Sequence, residues 1–223
     1  MISDLRLGFR LLRYAHNLKF IAVMGTITTL LGIGMCSLDA WQSEFYLGGY
    51  FTMLFAFAVI QTYGTLNTSA FVQVSPHRKK LQTSVPAVLN LFCMSFGYLI
   101  VVLTEAVIVC VRPAGMKSAC ITLLVTAVFM GFVIVYGAYC VKYYFFATLL
   151  FIAFFTICYC FLMGYLEKIE ALIQGGWSVF ALISTLGLVG LWVCAGLHYL
   201  IALAVYRKPA SKYAQCHGLR KYM

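Results

Sequence analysis

Six long apolar runs divide this chain, and short polar segments separate them. A run of about 18 or more apolar residues is long enough to cross a hydrocarbon core as a helix. The runs predict spans at Phe20–Leu38, Leu47–Leu66, Pro86–Val111, Ser118–Tyr139, Tyr144–Leu166 and Trp177–Tyr206. Pro86 suits the first turn of its helix, where the missing N–H leaves no hydrogen bond unmade. Pro113 and Gly115 break the chain between the third and fourth spans, and Pro209 follows the sixth. Before the first span, Ile2, Leu5, Phe9, Leu12 and His16 form one helical stripe flanked by Arg6, Arg10 and Arg13. That pattern predicts an amphipathic helix lying in the membrane interface, with its arginines toward phosphates. Glu167–Gly176 reads as a second short amphipathic helix, with Ile169, Leu172 and Ile173 on one side and Gly175-Gly176 as its stop.

Charge orients the spans. Thirteen of the sixteen Lys and Arg residues fall in the N-terminal segment, the second and fourth connections and the C-terminal tail. Arg112, Lys117 and Lys168 lie in the opposite set. Basic residues accumulate on the cytoplasmic side, so both termini are expected there. The fold class is therefore an all-α polytopic membrane protein with six transmembrane helices and an N-terminal interfacial helix. Its expected organisation is an interfacial helix at 1–19, a transmembrane domain at 20–206 and a basic cytoplasmic tail at 207–223. The N-terminal segment lacks the layout of a cleavable signal, so the first span is expected to serve as the anchor. Asp39, Glu44, Glu167 and Glu170 fall on the outside, and Trp41, Tyr46 and Trp177 sit where an outer aromatic belt would be.

Composition sharpens this picture. The chain has 223 residues, 63% of them hydrophobic and 10% charged, against about 25% charged in soluble domains. The net charge of +10 does not point to nucleic acid, because the cations cluster at helix ends where anionic lipid accounts for them. Nine cysteines include no CxxC pair, and they read as small apolar packing residues. Gly32, Gly34, Gly48, Gly49, Gly187 and Gly190 permit close helix contact.

Catalytic patterns are absent: no HExxH, no GxSxG, no Walker loop and no histidine pair at zinc spacing. No catalytic residue, bound cofactor or metal is expected, and the chain is not read as an enzyme. Glu105 is the single carboxylate inside a run. It lies six residues before Val111, about 9 Å along the helix, and Arg112 at i+7 is a possible partner on the same face. The segment after the second span, Val74-Ser75-Pro76-His77-Arg78-Lys79-Lys80-Leu81-Gln82-Thr83-Ser84, is the most specific local feature.

With its interfacial helix, six spans, outer helical insert and this proline-containing basic loop, the chain resembles the permease subunits of type-2 ATP-binding-cassette exporters. Members often carry a Leu-Pro-x-Ser-Arg-Lys-like segment after span two; here serine precedes proline. The resemblance implies a multi-pass protein of a bacterial plasma membrane whose substrate path is powered by a separate cytoplasmic ATPase subunit. ATP would bind that partner, and a second permease chain, identical or a sibling, would complete the path. It places the coupling element around Thr68–Leu81, with Ser75, Pro76, Arg78, Lys79, Lys80 and Leu81 as its loop residues. It places the outer capping helix at Leu166–Gly176. Two other classes stay open: a stand-alone secondary transporter using Glu105, and an immunity or assembly protein that binds a partner within the bilayer.

Overall fold

Nearly every long segment of this chain is apolar on all faces, and in lipid such a segment satisfies its backbone only as a helix. The computed structural model accordingly contains helices and no strand among the described residues, which are 1–15, 18–42, 46, 48–67, 69–140, 143–173 and 176–207. The helices are α1 (Ile2–Leu12), α2 (Leu18–Gln42), α3 (Gly48–Asn67), α4 (Ala70–Val74), α5 (Arg78–Gln82), α6 (Ser84–Val111), α7 (Met116–Cys140), α8 (Tyr144–Leu172) and α9 (Trp177–Tyr206). A 3-10 turn at Pro113–Gly115 joins α6 to α7. Four of them, α2, α6, α7 and α9, are long and apolar enough to cross a membrane. Expected residues His16, Glu44, Leu47, Thr68, Gly175 and the tail from 208 onward lie outside the described residues.

The helix hydroxyls turn inward on their own backbone. Thr29 donates to the Gly25 carbonyl at 2.7 Å, Thr104 to Ile100 at 2.8 Å and Ser184 to Phe180 at 2.8 Å. Such back-bonding removes the cost of an unpaired hydroxyl and takes these groups out of contention as site residues.

α7 is the centre of the bundle. It packs against α3, α6, α8 and α9, and Ile121, Leu123, Met130, Val133 and Ile134 are fully buried. An aromatic seam holds α8 to it: Phe132 stacks on Phe154 with ring centres 3.7 Å apart, and Phe129 meets Phe155 at 5.0 Å. Phe57 of α3 joins the seam through Phe151 at 5.3 Å. Glycines set the closest helix approaches. A β-carbon at Gly48 would fall 2.6 Å from the Cys36 backbone nitrogen, and one at Gly32 would fall 2.9 Å from that of Thr52. Gly49 and Gly187 are equally tight against Thr126 and Tyr98, whereas Gly34 and Gly190 face open space.

Three expectations need correction. The insert at 167–176 is not a separate helix: residues through Leu172 continue α8, because no breaker interrupts the helical run before the glycine pair. Tyr46 does not belong to an outer belt. It is 2% exposed, with a left-handed φ of 51°. The N-terminal helix is shorter than the expected 1–19 segment: it ends at Leu12, and it buries Asp4, Gly8, Leu11 and Leu12. The burial comes from docking. Gly8 lets α1 settle against Val85 and Leu89 of α6, and Phe9 meets Phe92 edge to face at 5.8 Å.

Candidate functional site

The basic loop between α3 and α6 folds into two short helices. Ser75 ends α4 in an extended conformation, and its hydroxyl accepts the His77 N–H at 3.2 Å. Pro76 and His77 follow, exposed, and α5 begins at Arg78. Leu81 turns inward to 3% exposure, and its carbonyl accepts the buried Tyr63 hydroxyl at 2.8 Å. That bond ties the loop to the last turns of α3. Arg78 and Lys79 stay exposed.

Lys80 reaches α1. Its Nζ lies 2.6 Å from Asp4 Oδ1, and Ser3 donates to the same oxygen at 3.2 Å. Burial alone would raise the Asp4 pKa, but the hydrogen bonds from Lys80, Ser84 and Ser3 and the lysine charge outweigh it and hold the carboxyl below its usual 3.8. The structure thus brings together two basic segments that are far apart in sequence. Arg6, Arg10 and Arg13 remain exposed on α1.

A second constellation lies at the other end of the bundle, where α2, α3, α6 and α7 meet. Glu105 is 1% exposed. Cys36, Asp39 and Cys120 lie close enough to couple to it electrostatically. Glu105 Oε1 has no hydrogen-bond partner among the described residues. Arg112 caps the same helix and is exposed. Asp39, 3% exposed, accepts the Gly48 N–H on Oδ2 at 2.9 Å, and its backbone carbonyl accepts the Ser118 hydroxyl at 3.2 Å. It therefore acts as a side-chain cap on α3, whose first N–H groups have no partner within the helix.

A third polar node sits within the bundle. His198 of α9 is 1% exposed, and its Nδ1 is 2.6 Å from the Ile134 carbonyl. A carbonyl only accepts, so Nδ1 carries the proton. Nε2 is then an acceptor with no partner among the described residues. Asn90 approaches the same ring at 3.4 Å across Gly137, where a β-carbon would fall 2.6 Å from the amide nitrogen. Sequence reasoning passed over Asp39, Cys36, Asn90 and His198. A polar residue in an apolar run was the available signal for Asn90 and His198; Asp39 sat too near a run's end to stand out. Among the described residues, no group of three or more His, Cys, Asp and Glu side chains is arranged to hold a metal ion.

No protein-family model, curated protein or solved structure matches this chain.

Proposed function

We propose that this chain is a six-span permease subunit of a type-2 ATP-binding-cassette exporter in a bacterial plasma membrane, with both termini cytoplasmic. In this reading α3 and α8 cross the bilayer together with α2, α6, α7 and α9. A separate ATPase subunit binds and hydrolyses ATP, and a second permease chain completes the substrate path. One observation carries the reading: the α4–α5 loop is clamped at two points, Tyr63 to the Leu81 carbonyl and Asp4 to Lys80, while Pro76, His77, Arg78 and Lys79 face outward. A push on those exposed residues is passed to α3 and α6 through short covalent links and to α1 through the ion pair. A floppy loop would absorb the same push.

The test is recovery of an ATPase from native membranes in mild detergent with the tagged full-length chain. Arg78→Glu with Lys79→Glu is expected to abolish recovery while the protein stays in the membrane. Failure of the wild type to recover any ATPase, at low and high salt alike, overturns the reading. The buried Glu105, whose Oε1 has no partner among the described residues, favours one alternative, a secondary transporter. Transport into liposomes lacking any ATPase, abolished by Glu105→Gln, would select it.

A further inference from the structure

The two lysines of the loop point to different places. Lys80 is committed to Asp4, but Lys79 lines a cavity of about 630 Å³ whose other walls are Leu203, Ala204, Tyr206 and Arg207 at the end of α9. Two cationic residues therefore line one groove, one on α5 and one just past the end of α9. The carbonyl end of α9 opposes them with about half a charge, so the groove stays electropositive. Little else can neutralise it. Among the described residues, the one ion pair with a carboxylate at this end is Lys80 with Asp4, so Asp4 is already held by another lysine.

The groove opens onto an apolar track. Val193, Leu197, Leu200 and Ala204 are all exposed and follow one another at intervals of four, three and four residues along α9. At 1.5 Å per residue this stripe runs about 16 Å, close to half of the ~30 Å hydrocarbon thickness, the depth of one leaflet. A cationic groove with a tyrosine at its lip and an acyl-length track below it fits an amphiphile with an anionic head. Free phosphate would use the groove and leave the track without a role.

We infer that the Lys79–Arg207 groove is a binding site for the phosphate headgroup of an anionic phospholipid, with an acyl chain lying along Val193, Leu197 and Leu200. The inference does not require the transport reading. It requires only that α9, which is long and apolar enough to cross a membrane, does so.

The test uses the purified full-length protein in detergent, with bound lipid counted by native mass spectrometry. The probes are short-chain phosphatidylglycerol, short-chain phosphatidylcholine and inorganic phosphate. Phosphatidylglycerol is expected to be retained in preference to phosphatidylcholine. Lys79→Gln and Arg207→Gln should each weaken it about fivefold, and together about twenty-five-fold, from the usual contribution of one cation at an anionic surface. Lys79→Arg should keep the affinity, as should Lys117→Gln, which removes a charge from the other end of the bundle. The single variants decide the matter if the double variant does not fold. Equal retention of the two lipids overturns the inference, as does wild-type affinity in either Gln variant. Binding of inorganic phosphate that depends on Lys79 and Arg207, with no gain from the lipid, overturns the lipid as occupant.

Discussion

At the end of the bundle that carries α1 and α5, Asp4 sits 2.6 Å from Lys80, a side chain 47% exposed. At the end where α2 meets α3, Asp39 and Glu105 are each at most 3% exposed, and Asp39 accepts a backbone N–H from Gly48. The first carboxylate is neutralised by a cation that water still screens. The other two sit in packed protein, where each polar contact is worth more and each missing one costs more. The water-facing end holds its loop in place yet leaves Arg78 and Lys79 exposed, which suits a docking surface. The packed end cannot, which suits a fixed hinge between helices or a site that opens only when the helices move.

The largest effect should come from the glycine that lets the packed end close. Gly48→Val would drive a side chain into the Cys36 backbone, which lies 2.6–2.7 Å from the β-carbon position. Backbone cannot move aside as a flexible side chain can. A loss of about 3 kcal/mol is expected, or about 6–12 °C in unfolding midpoint for a protein of this size. Gly34→Ala on the same pair of helices faces open space and should leave the midpoint unchanged or slightly raised. If both variants behave alike in detergent, the α2–α3 approach is not close.

The next effect belongs to Asp39. Asp39→Ala removes the acceptor of the Gly48 N–H and leaves that buried donor unmatched, at a cost of about 1–3 kcal/mol. Glu105→Gln is expected to be milder, about 1 kcal/mol or less. The amide keeps the shape, and among the described residues Glu105 Oε1 has no hydrogen-bond partner to lose. Thermal unfolding of the two variants side by side separates the roles. A Glu105→Gln loss larger than that of Asp39→Ala would mean that the buried carboxylate, and not the cap, organises this end.

The helices were legible in the sequence because a helix in lipid must be apolar along its length, and that signal survives any arrangement of neighbours. α9 begins and ends where its apolar run does, from Trp177 to Tyr206. The arrangement was not legible for the same reason. α7 and α9 have similar hydropathies, 2.5 and 2.1, yet 72% of the apolar window of α7 is buried against 28% for α9. When lipid and protein are equally apolar, periodicity does not tell which face meets which. The candidate site divides in the same way. Arg78 and Lys79 were legible as exposed cations, but the Lys80–Asp4 pair joins residues 76 positions apart, and no local pattern announces it. Glycines were legible only as permissive: Gly32 and Gly34 look alike in sequence, and one of them meets a neighbouring helix.

The smallest effect, and the sharpest check on the water-facing end, is the pH dependence of Asp4. Its folded pKa lies below the usual 3.8, so the ionised form is the one that folding favours. The pair therefore contributes stability that is fully present above pH 3.8 and is lost as pH falls through the folded value. Because Lys80 is 47% exposed, solvent screening holds the contribution to about 0.5 kcal/mol. Asp4→Asn should unfold about 1–2 °C below wild type at pH 6. The gap should close as the pH is lowered past 3.8, and it should also close at pH 6 in high salt. A gap that persists at low pH and in high salt would show that Asp4 acts through its packing between α1 and Ser84. In that case the two ends of the bundle would hold their carboxylates by the same means.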